Sequence, residues 1–87
     1  MSEVIVHRRV LRYLQRLSHP DRERVRKALA HLAENPTAYP GVVHMAGEWA
    51  GYQRIRVGEL RVIYWHDEQD DIIYVDHIGP RGDIYKQ

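Results

Sequence analysis

The segment GYQRIRVGELRVIYW, residues 51–65, decides the fold because a turn signal separates two runs of alternating side chains. Gly58-Glu59 is a Gly-X pair, which suits the two-residue type II′ turn that joins antiparallel strands. With this turn, Val57 faces Leu60 and Arg56 faces Arg61 across the strand pair. The segment therefore predicts a β-hairpin that has one aliphatic face and one arginine-bearing face.

Each face of this hairpin suggests a role. The aliphatic face is the natural surface for helices to cover, and it carries Ile55, Val57, Leu60, Val62 and Tyr64. The other face brings together Arg54, Arg56 and Arg61, although like charges opposed across a strand pair are destabilising. Such arginines commonly form a solvated face, and Asp76 is expected across from Arg61, where it would neutralise charge. Alternatively, the guanidinium forks form a phosphate site. The pattern alone favours the solvated face and leaves both interpretations open.

The other elements follow from periodicity and turn residues. The β-branched run at 4–6 predicts a first strand, and apolar residues at helical spacing predict an amphipathic helix from Arg8 to Leu17. A second helix, capped by Ser18, runs to about Ala33. A connection over 37–51 includes a short strand at 42–45, and further strands are expected at 52–57, 60–66 and 71–78. The predicted fold is α+β: an N-terminal strand, a helix hairpin, then antiparallel strands forming a small sheet with the helices packed on one face.

Strand alternation also assigns faces beyond the hairpin. It places Ile63, Trp65, Ile72 and Tyr74 on the arginine-bearing face, as either a minor core or an apolar patch for a partner. The same alternation places His77 on the helix-covered side. The six histidines show no metal-ligand spacing, so no metal site is expected. We also expect no cofactor.

Length and composition narrow the class of protein. The chain has 87 residues, which suits a single domain over 1–87, and its 44% hydrophobic and 29% charged residues are typical of globular proteins. There are no cysteines, which excludes disulfides and cysteine nucleophiles. No apolar stretch approaches the roughly 20 residues of a membrane span, so we expect a cytoplasmic protein that does not bind membranes. The net charge of +1 is far from that of domains that hold nucleic acid by bulk electrostatics.

The final segment, HIGPRGDIYKQ, residues 77–87, adds a second motif. Together with residues 52–65 it resembles the RelE/ParE superfamily of bacterial toxin-antitoxin toxins. Members typically show an R-x-R-V-G-x-x-R-V-I-Y hairpin and a final V-G-x-R-x-x-V/I-Y. The hairpin motif matches residues 54–64, and the final motif matches Ile78, Gly79, Arg81, Ile84 and Tyr85. The segments LAENP at 32–36 and PGVVHMAGEWAG at 40–51 are also similar to the family, so the resemblance covers nearly the whole chain.

The resemblance implies an activity and a set of site residues. Many RelE-like toxins are ribosome-dependent endoribonucleases that cut mRNA in the ribosomal A site, by attack of a ribose 2′-OH on the adjacent phosphodiester, and so inhibit translation. On this precedent, Arg61 and Arg81 hold the scissile phosphate. Arg54 and Arg56 take the positions of basic active-site residues, and Tyr85 stacks on or aligns the target base.

The proton carriers are harder to assign from the resemblance. Several relatives carry lysine at the positions of Arg54 and Arg56, or histidine at the position of Pro80. Arginine stays protonated and is a poor general base. Tyr85 beside Arg81 is therefore the first candidate for a base or orienting residue, and Asp83, which also reads as a turn or capping carboxylate, is the second.

Two alternative functions and several partners also follow from the resemblance. The chain is alternatively a ParE-like inhibitor of DNA gyrase, or a degenerate toxin that only binds an antitoxin and autoregulates transcription. The implied partners are a cognate antitoxin protein, in a toxin-antitoxin hetero-oligomer, together with the ribosome and mRNA.

Overall fold

The computed structural model describes residues 1–80 and confirms the predicted α+β class. Two helices accompany a five-stranded sheet. The elements are β1 (Glu3–Val6), α1 (Arg8–Arg16), α2 (His19–Glu34), β2 (Val43–His44), β3 (Gln53–Val57), β4 (Leu60–Asp67) and β5 (Ile72–Pro80), with a 3₁₀ turn at Gly47–Trp49 before β3. The predicted boundaries differ from these by one or two residues at the element ends.

The helix hairpin forms at the positions predicted from the Ser18 cap and the spacing of the apolar residues. The Ser18 hydroxyl accepts a hydrogen bond of 3.3 Å from the backbone N–H of Asp21, which satisfies one of the free donors at the start of α2. Buried residues line the inner side of both helices; they are Val10 in α1 and Val25, Ala28, Leu29, Leu32 and Ala33 in α2. Both stripes face the sheet.

The sheet has the strand order β1-β5-β4-β3-β2. The strands from β2 to β5 pair antiparallel in sequence order, whereas β1 pairs parallel with β5, from Glu3 opposite Ile72 to Val6 opposite Val75. The sheet is therefore mixed, and its first and last strands are neighbours. Periodicity predicted each strand but carried no information about this pairing.

The central hairpin has the predicted register. Ile55 lies opposite Val62, and Arg56 lies opposite Arg61. Gly58 has a φ of +60°, as required at the first central position of a type II′ turn. The aliphatic face packs against the helices; Ile55, Val62 and Tyr64 are fully buried there.

A β-bulge separates the two halves of the β4–β5 pair. Ile63 lies opposite His77, but the next residue, Tyr64, lies opposite Val75, so Asp76 is an extra residue on β5. This corrects two predictions. His77 is on the arginine-bearing face rather than the helix-covered side, because the bulge reverses the alternation. Gly79, not Asp76, lies opposite Arg61. The four-residue connection is 68–71 instead of the expected 67–70, which shifts the partner of Arg61 by two residues, and the bulge shifts it by one more.

Side-chain hydrogen bonds next to β1 supplement its pairing with β5. The Ser2 hydroxyl donates to Asp71 Oδ1 at 2.6 Å, and His66 Nε2 is 2.9 Å from the same oxygen. The Ser2 hydroxyl and then His66 hold the pKa of Asp71 below its usual value. Asp71 has a φ of +55° at the turn before β5.

Neither helix is long and apolar enough to cross a membrane in the part of the chain that is described.

Candidate functional site

The three arginines of the hairpin lie on the sheet face away from the helices. Arg54 is opposite Ile63 and Arg56 is opposite Arg61, so all three side chains leave the same side of β3 and β4. They line a concavity of about 220 Å³ together with Gly41 and Val43. Val43, on β2, lies opposite Arg54. The structure therefore brings together the three arginines that the sequence predicted on one face.

The hairpin turn positions these guanidinium groups. Arg56 Nε donates a hydrogen bond of 3.3 Å to the carbonyl oxygen of Gly58. Arg56 is exposed, whereas Arg54 and Arg61 are half-buried. Guanidinium forks on a partly desolvated surface are well suited to bidentate recognition of phosphate, since the lower local dielectric strengthens each charge-assisted hydrogen bond. Chemically, the concavity can bind an anion and stabilise negative charge.

The C-terminal part of the predicted site lies outside the described residues. These residues are Arg81 and Tyr85, together with Asp83, the second candidate base. The last described residue, Pro80, lies opposite Leu60, and Gly79 lies opposite Arg61. The strand that leads to the second motif therefore ends beside the arginine-bearing hairpin.

An aromatic cluster borders the arginines. It consists of Trp49, Tyr52, Asp76 and His77, and we call it the Trp49 cluster. The Trp49 ring makes edge contacts with Tyr52 and His77, at centroid distances of 5.3 and 4.8 Å. Tyr52 directly precedes β3 and His77 lies on β5, and these two strands flank β4, so the Trp49 side chain lies over β4. Ile63, which lies on this face of β4, is completely buried.

Hydrogen bonds and burial change the pKa values in this cluster. The Tyr52 hydroxyl donates to Asp76 Oδ2 at 2.8 Å, and this bond, more than burial, raises the pKa of Tyr52. Arg9 Nε donates to the backbone carbonyl of Asp76, also at 2.8 Å. Burial, with a smaller effect of the Arg9 charge, lowers the pKa of His77. The Trp49 cluster thus contains an uncharged tyrosine and a histidine biased toward its neutral form.

Sequence reasoning missed His77 as a neighbour of the arginines, although a signal was present. Inward positions alternate from Ile73 to Val75, and strict continuation would bury His77 while exposing Ile78. A strand in which alternation would bury a polar residue and expose an apolar one is expected to contain one inserted residue.

The far end of the same face has the predicted apolar side chains. Trp65 and Tyr74 stack with their ring centroids 4.6 Å apart and their planes 16° apart. Both are half-buried, as is Ile72, and Ile5 on the edge strand is 41% exposed. Glu3 and Asp67 each lie opposite Ile72. This end of the sheet face is therefore acidic, whereas the end that carries the arginines is basic.

Other surfaces of the molecule differ in character. A groove between α1 and α2 is lined by Leu11, Leu14, Val25 and Leu29 and bordered by charged residues. Among residues 1–80, no three His, Cys, Asp or Glu side chains are arranged to hold a metal ion.

Comparison with known proteins identifies the family. The model of the ParE toxin family, described as the ParE toxin of type II toxin-antitoxin system, parDE, matches residues 4–85. No curated protein sequence matches the chain. Among solved structures, the archaeal RelE-RelB complex from Pyrococcus horikoshii is similar, with a TM-score of 0.82 and 28% identity over 94% of this chain and 97% of that chain.

Two further structures share the fold. The toxin-antitoxin complex RelBE2 from Mycobacterium tuberculosis aligns with a TM-score of 0.80 and 21% identity, covering 92% of this chain and 98% of that chain. The YoeB/ParE toxin from Agrobacterium tumefaciens aligns with a TM-score of 0.76 and 18% identity, covering 90% and 96%. The family match spans both the arginine-bearing hairpin and the C-terminal motif. The chain therefore belongs to the ParE toxin family, within the RelE/ParE superfamily of type II toxin-antitoxin toxins.

Proposed function

We propose that this toxin is a ribosome-dependent endoribonuclease that cleaves mRNA in the ribosomal A site and so inhibits translation. The observation that supports the proposal most directly is the convergence of Arg54, Arg56 and Arg61 around one concavity. A surface that gathers like charges is suited to a polyanion, because a bound anion relieves their mutual repulsion. Arg81 follows Pro80 directly in the sequence and is proposed to complete this set.

The proposed reaction places specific demands on these residues. A ribose 2′-OH attacks the adjacent phosphorus, and negative charge accumulates on the phosphoryl oxygens in the transition state. In this proposal Arg61 and Arg81 hold the scissile phosphate, while Arg54 and Arg56 stabilise the developing charge. Tyr85 stacks on or aligns the target base. Removing one such fixed donor typically slows a reaction by about 10²–10³-fold.

The small net charge explains why the ribosome is part of the proposal. Affinity for free RNA grows with the number of phosphates that a protein neutralises, and this chain has a net charge of only +1. Three clustered arginines can bind one phosphate but are too few to bind an RNA strand tightly. The ribosome supplies the remaining affinity by presenting the codon, which places the reaction in the cytoplasm.

The deciding experiment maps mRNA 5′ ends after induction of the protein in cells that lack an antitoxin. We expect new ends inside translated codons for the wild type, a loss of about 100-fold or more for Arg61→Ala, and partial retention for Arg61→Lys, which keeps the charge without the fork. Arg12→Ala is the matched control, since Arg12 is an exposed arginine on α1. New ends that ignore codon boundaries, or equal cutting of naked RNA in vitro, would contradict ribosome dependence.

Inhibition of DNA gyrase is a second candidate function, favoured by the family model, which is that of the ParE toxin. In this alternative the arginine-bearing face binds a macromolecular target without cleaving RNA. A supercoiling assay with purified gyrase separates the two candidates. Inhibition of supercoiling without codon cleavage would replace the first proposal.

We also propose a cognate antitoxin as a binding partner. The similar structures from P. horikoshii and M. tuberculosis are toxin-antitoxin complexes. This chain exposes apolar side chains on two surfaces that a partner can cover: Leu11 at the helix groove, and Ile5 and Val43 on the arginine-bearing face. Copurification of the toxin with the product of an adjacent gene tests this partnership.

A further inference from the structure

The arginine concavity can stabilise charge but cannot accept a proton. Guanidinium groups stay protonated at any physiological pH, so Arg54, Arg56 and Arg61 do not serve as general bases. Cleavage through the 2′-OH nevertheless requires that this hydroxyl lose its proton as it attacks. A titratable side chain on the same face would meet the requirement.

The bulge at Asp76 places a histidine in that position. His77 lies opposite Ile63, and Gly79 lies opposite Arg61, so His77 and Arg61 are diagonal neighbours on one face. Such diagonal positions are about 7–8 Å apart, within reach of long and aromatic side chains around a common phosphate. Because Gly79 has no side chain, none projects from the β5 position directly across from Arg61.

The surroundings of His77 suit a base more than a structural contact. Its ring is half-buried and lies nearly perpendicular to the Trp49 ring at a centroid distance of 4.8 Å, and no hydrogen bond joins its ring nitrogens to residues 1–80. The charged and titratable groups that face it are Arg9 and His7 from the start of α1, Asp76 beside it, and Tyr52, whose hydroxyl is bound to Asp76. Burial, and then the Arg9 charge, lowers the pKa of His77 below its usual value, which favours the neutral ring that can accept a proton.

We propose that His77 is the general base of the cleavage reaction, an inference that rests on the proposed endoribonuclease function. A ring nitrogen of His77 takes the 2′-OH proton as the 2′ oxygen forms its bond to phosphorus. The bond from phosphorus to the 5′ oxygen breaks, and that oxygen takes a proton from water. The products are a 2′,3′-cyclic phosphate and a free 5′-OH, and the imidazolium returns its proton to solvent.

The test is the pH dependence of single-turnover cleavage on ribosomes programmed with a defined mRNA. For the wild type, the rate should fall as pH drops through the range in which His77 becomes protonated and should level off above it. His77→Gln should slow cleavage by about 10²–10⁴-fold and remove this acidic limb, while ribosome binding is unchanged. His19→Gln, at an exposed histidine on α2, is the matched control and should keep the wild-type profile.

A second variant separates chemistry from folding. In His77→Ala, added imidazole should restore part of the rate, which a purely structural role does not predict. An acidic limb that persists in His77→Gln, or a wild-type rate in that variant, would overturn the role of His77 while leaving Arg61-dependent cleavage in place. Absence of cleavage by the wild-type protein would instead overturn the proposed function, and the role of His77 with it.

Discussion

At the scale of single residues, Gly58 sets the geometry of the arginine site through its backbone. Its φ of +60° is accessible to glycine but strained for other residues. A Cβ there would lie 3.8 Å from Arg24 Nη1, an ordinary contact, so space does not limit substitution. We expect Gly58→Ala to lower the free energy of unfolding by about 1–2 kcal/mol for conformational reasons alone. Urea unfolding measures this, with Glu59→Ala as the control; an unchanged value for Gly58→Ala would show that the turn adopts another conformation.

Two tyrosines at the same scale should respond oppositely to loss of the hydroxyl. Tyr64 is fully buried, its hydroxyl has no hydrogen-bond partner among residues 1–80, and burial raises its pKa to about 12. The Tyr52 hydroxyl, in contrast, donates to Asp76. Tyr64→Phe should leave the free energy of unfolding unchanged or raise it by up to about 1 kcal/mol, and Tyr52→Phe should lower it by about 1 kcal/mol. Equal losses in both variants, measured by urea unfolding, would contradict this assignment.

At the scale of elements, local sequence patterns predict the helices and the β3–β4 pair, because these depend on residues that are close in sequence. Apolar spacing and the Ser18 cap gave the helix hairpin, and the turn at Gly58-Glu59 fixed which residues of β3 and β4 are opposed. The faces of Arg54, Arg56 and Arg61 followed from that register, because a two-residue turn leaves no freedom to shift.

The pairing of β4 with β5 shows where local signals fail. The turn at 68–71 is longer and polar throughout, so it does not define a single register. The bulge at Asp76 depends on contacts from elsewhere: Tyr52 binds its carboxylate and Arg9 binds its carbonyl. Neither partner is near Asp76 in sequence. For this reason strict alternation predicts the wrong face for His77. Only the structure shows that His77 lies on the arginine-bearing face. The roles given to Arg81 and Tyr85 stay predictions.

At the scale of the whole molecule, Asp71 connects the chain start to the last turn, and this connection should depend on pH. The hydrogen bonds from Ser2 and His66 favour the ionised carboxylate, so the pKa is lower in the folded state than in the unfolded chain. The stabilisation is therefore complete above the unfolded pKa and is lost as pH falls through the lower, folded value.

Substitution at this position tests that dependence. Asp71→Asn is suitable because asparagine tolerates a φ of +55°. We expect the variant to be less stable than the wild type near neutral pH and the difference to shrink as pH falls below about 4. Urea unfolding across this range provides the measurement, with Asp70→Asn, at an exposed neighbour, as the control. A difference that is the same at every pH would assign the effect to packing instead of charge.

The parallel pairing of β1 with β5 also determines when the sheet can be completed during synthesis of the chain. Among residues 1–80, β1 pairs only with β5, so Glu3 can pair only after Ile72 has been synthesised. Closing so long a loop is entropically costly and comes late in folding. A ribosome therefore synthesises the chain as far as Val75 before β1 can pair fully, whereas β3 and β4, which carry the arginines, pair with each other without β1. The strand order therefore lets the arginine-bearing hairpin form first and leaves the N-terminal strand, which is made first, to join the sheet last.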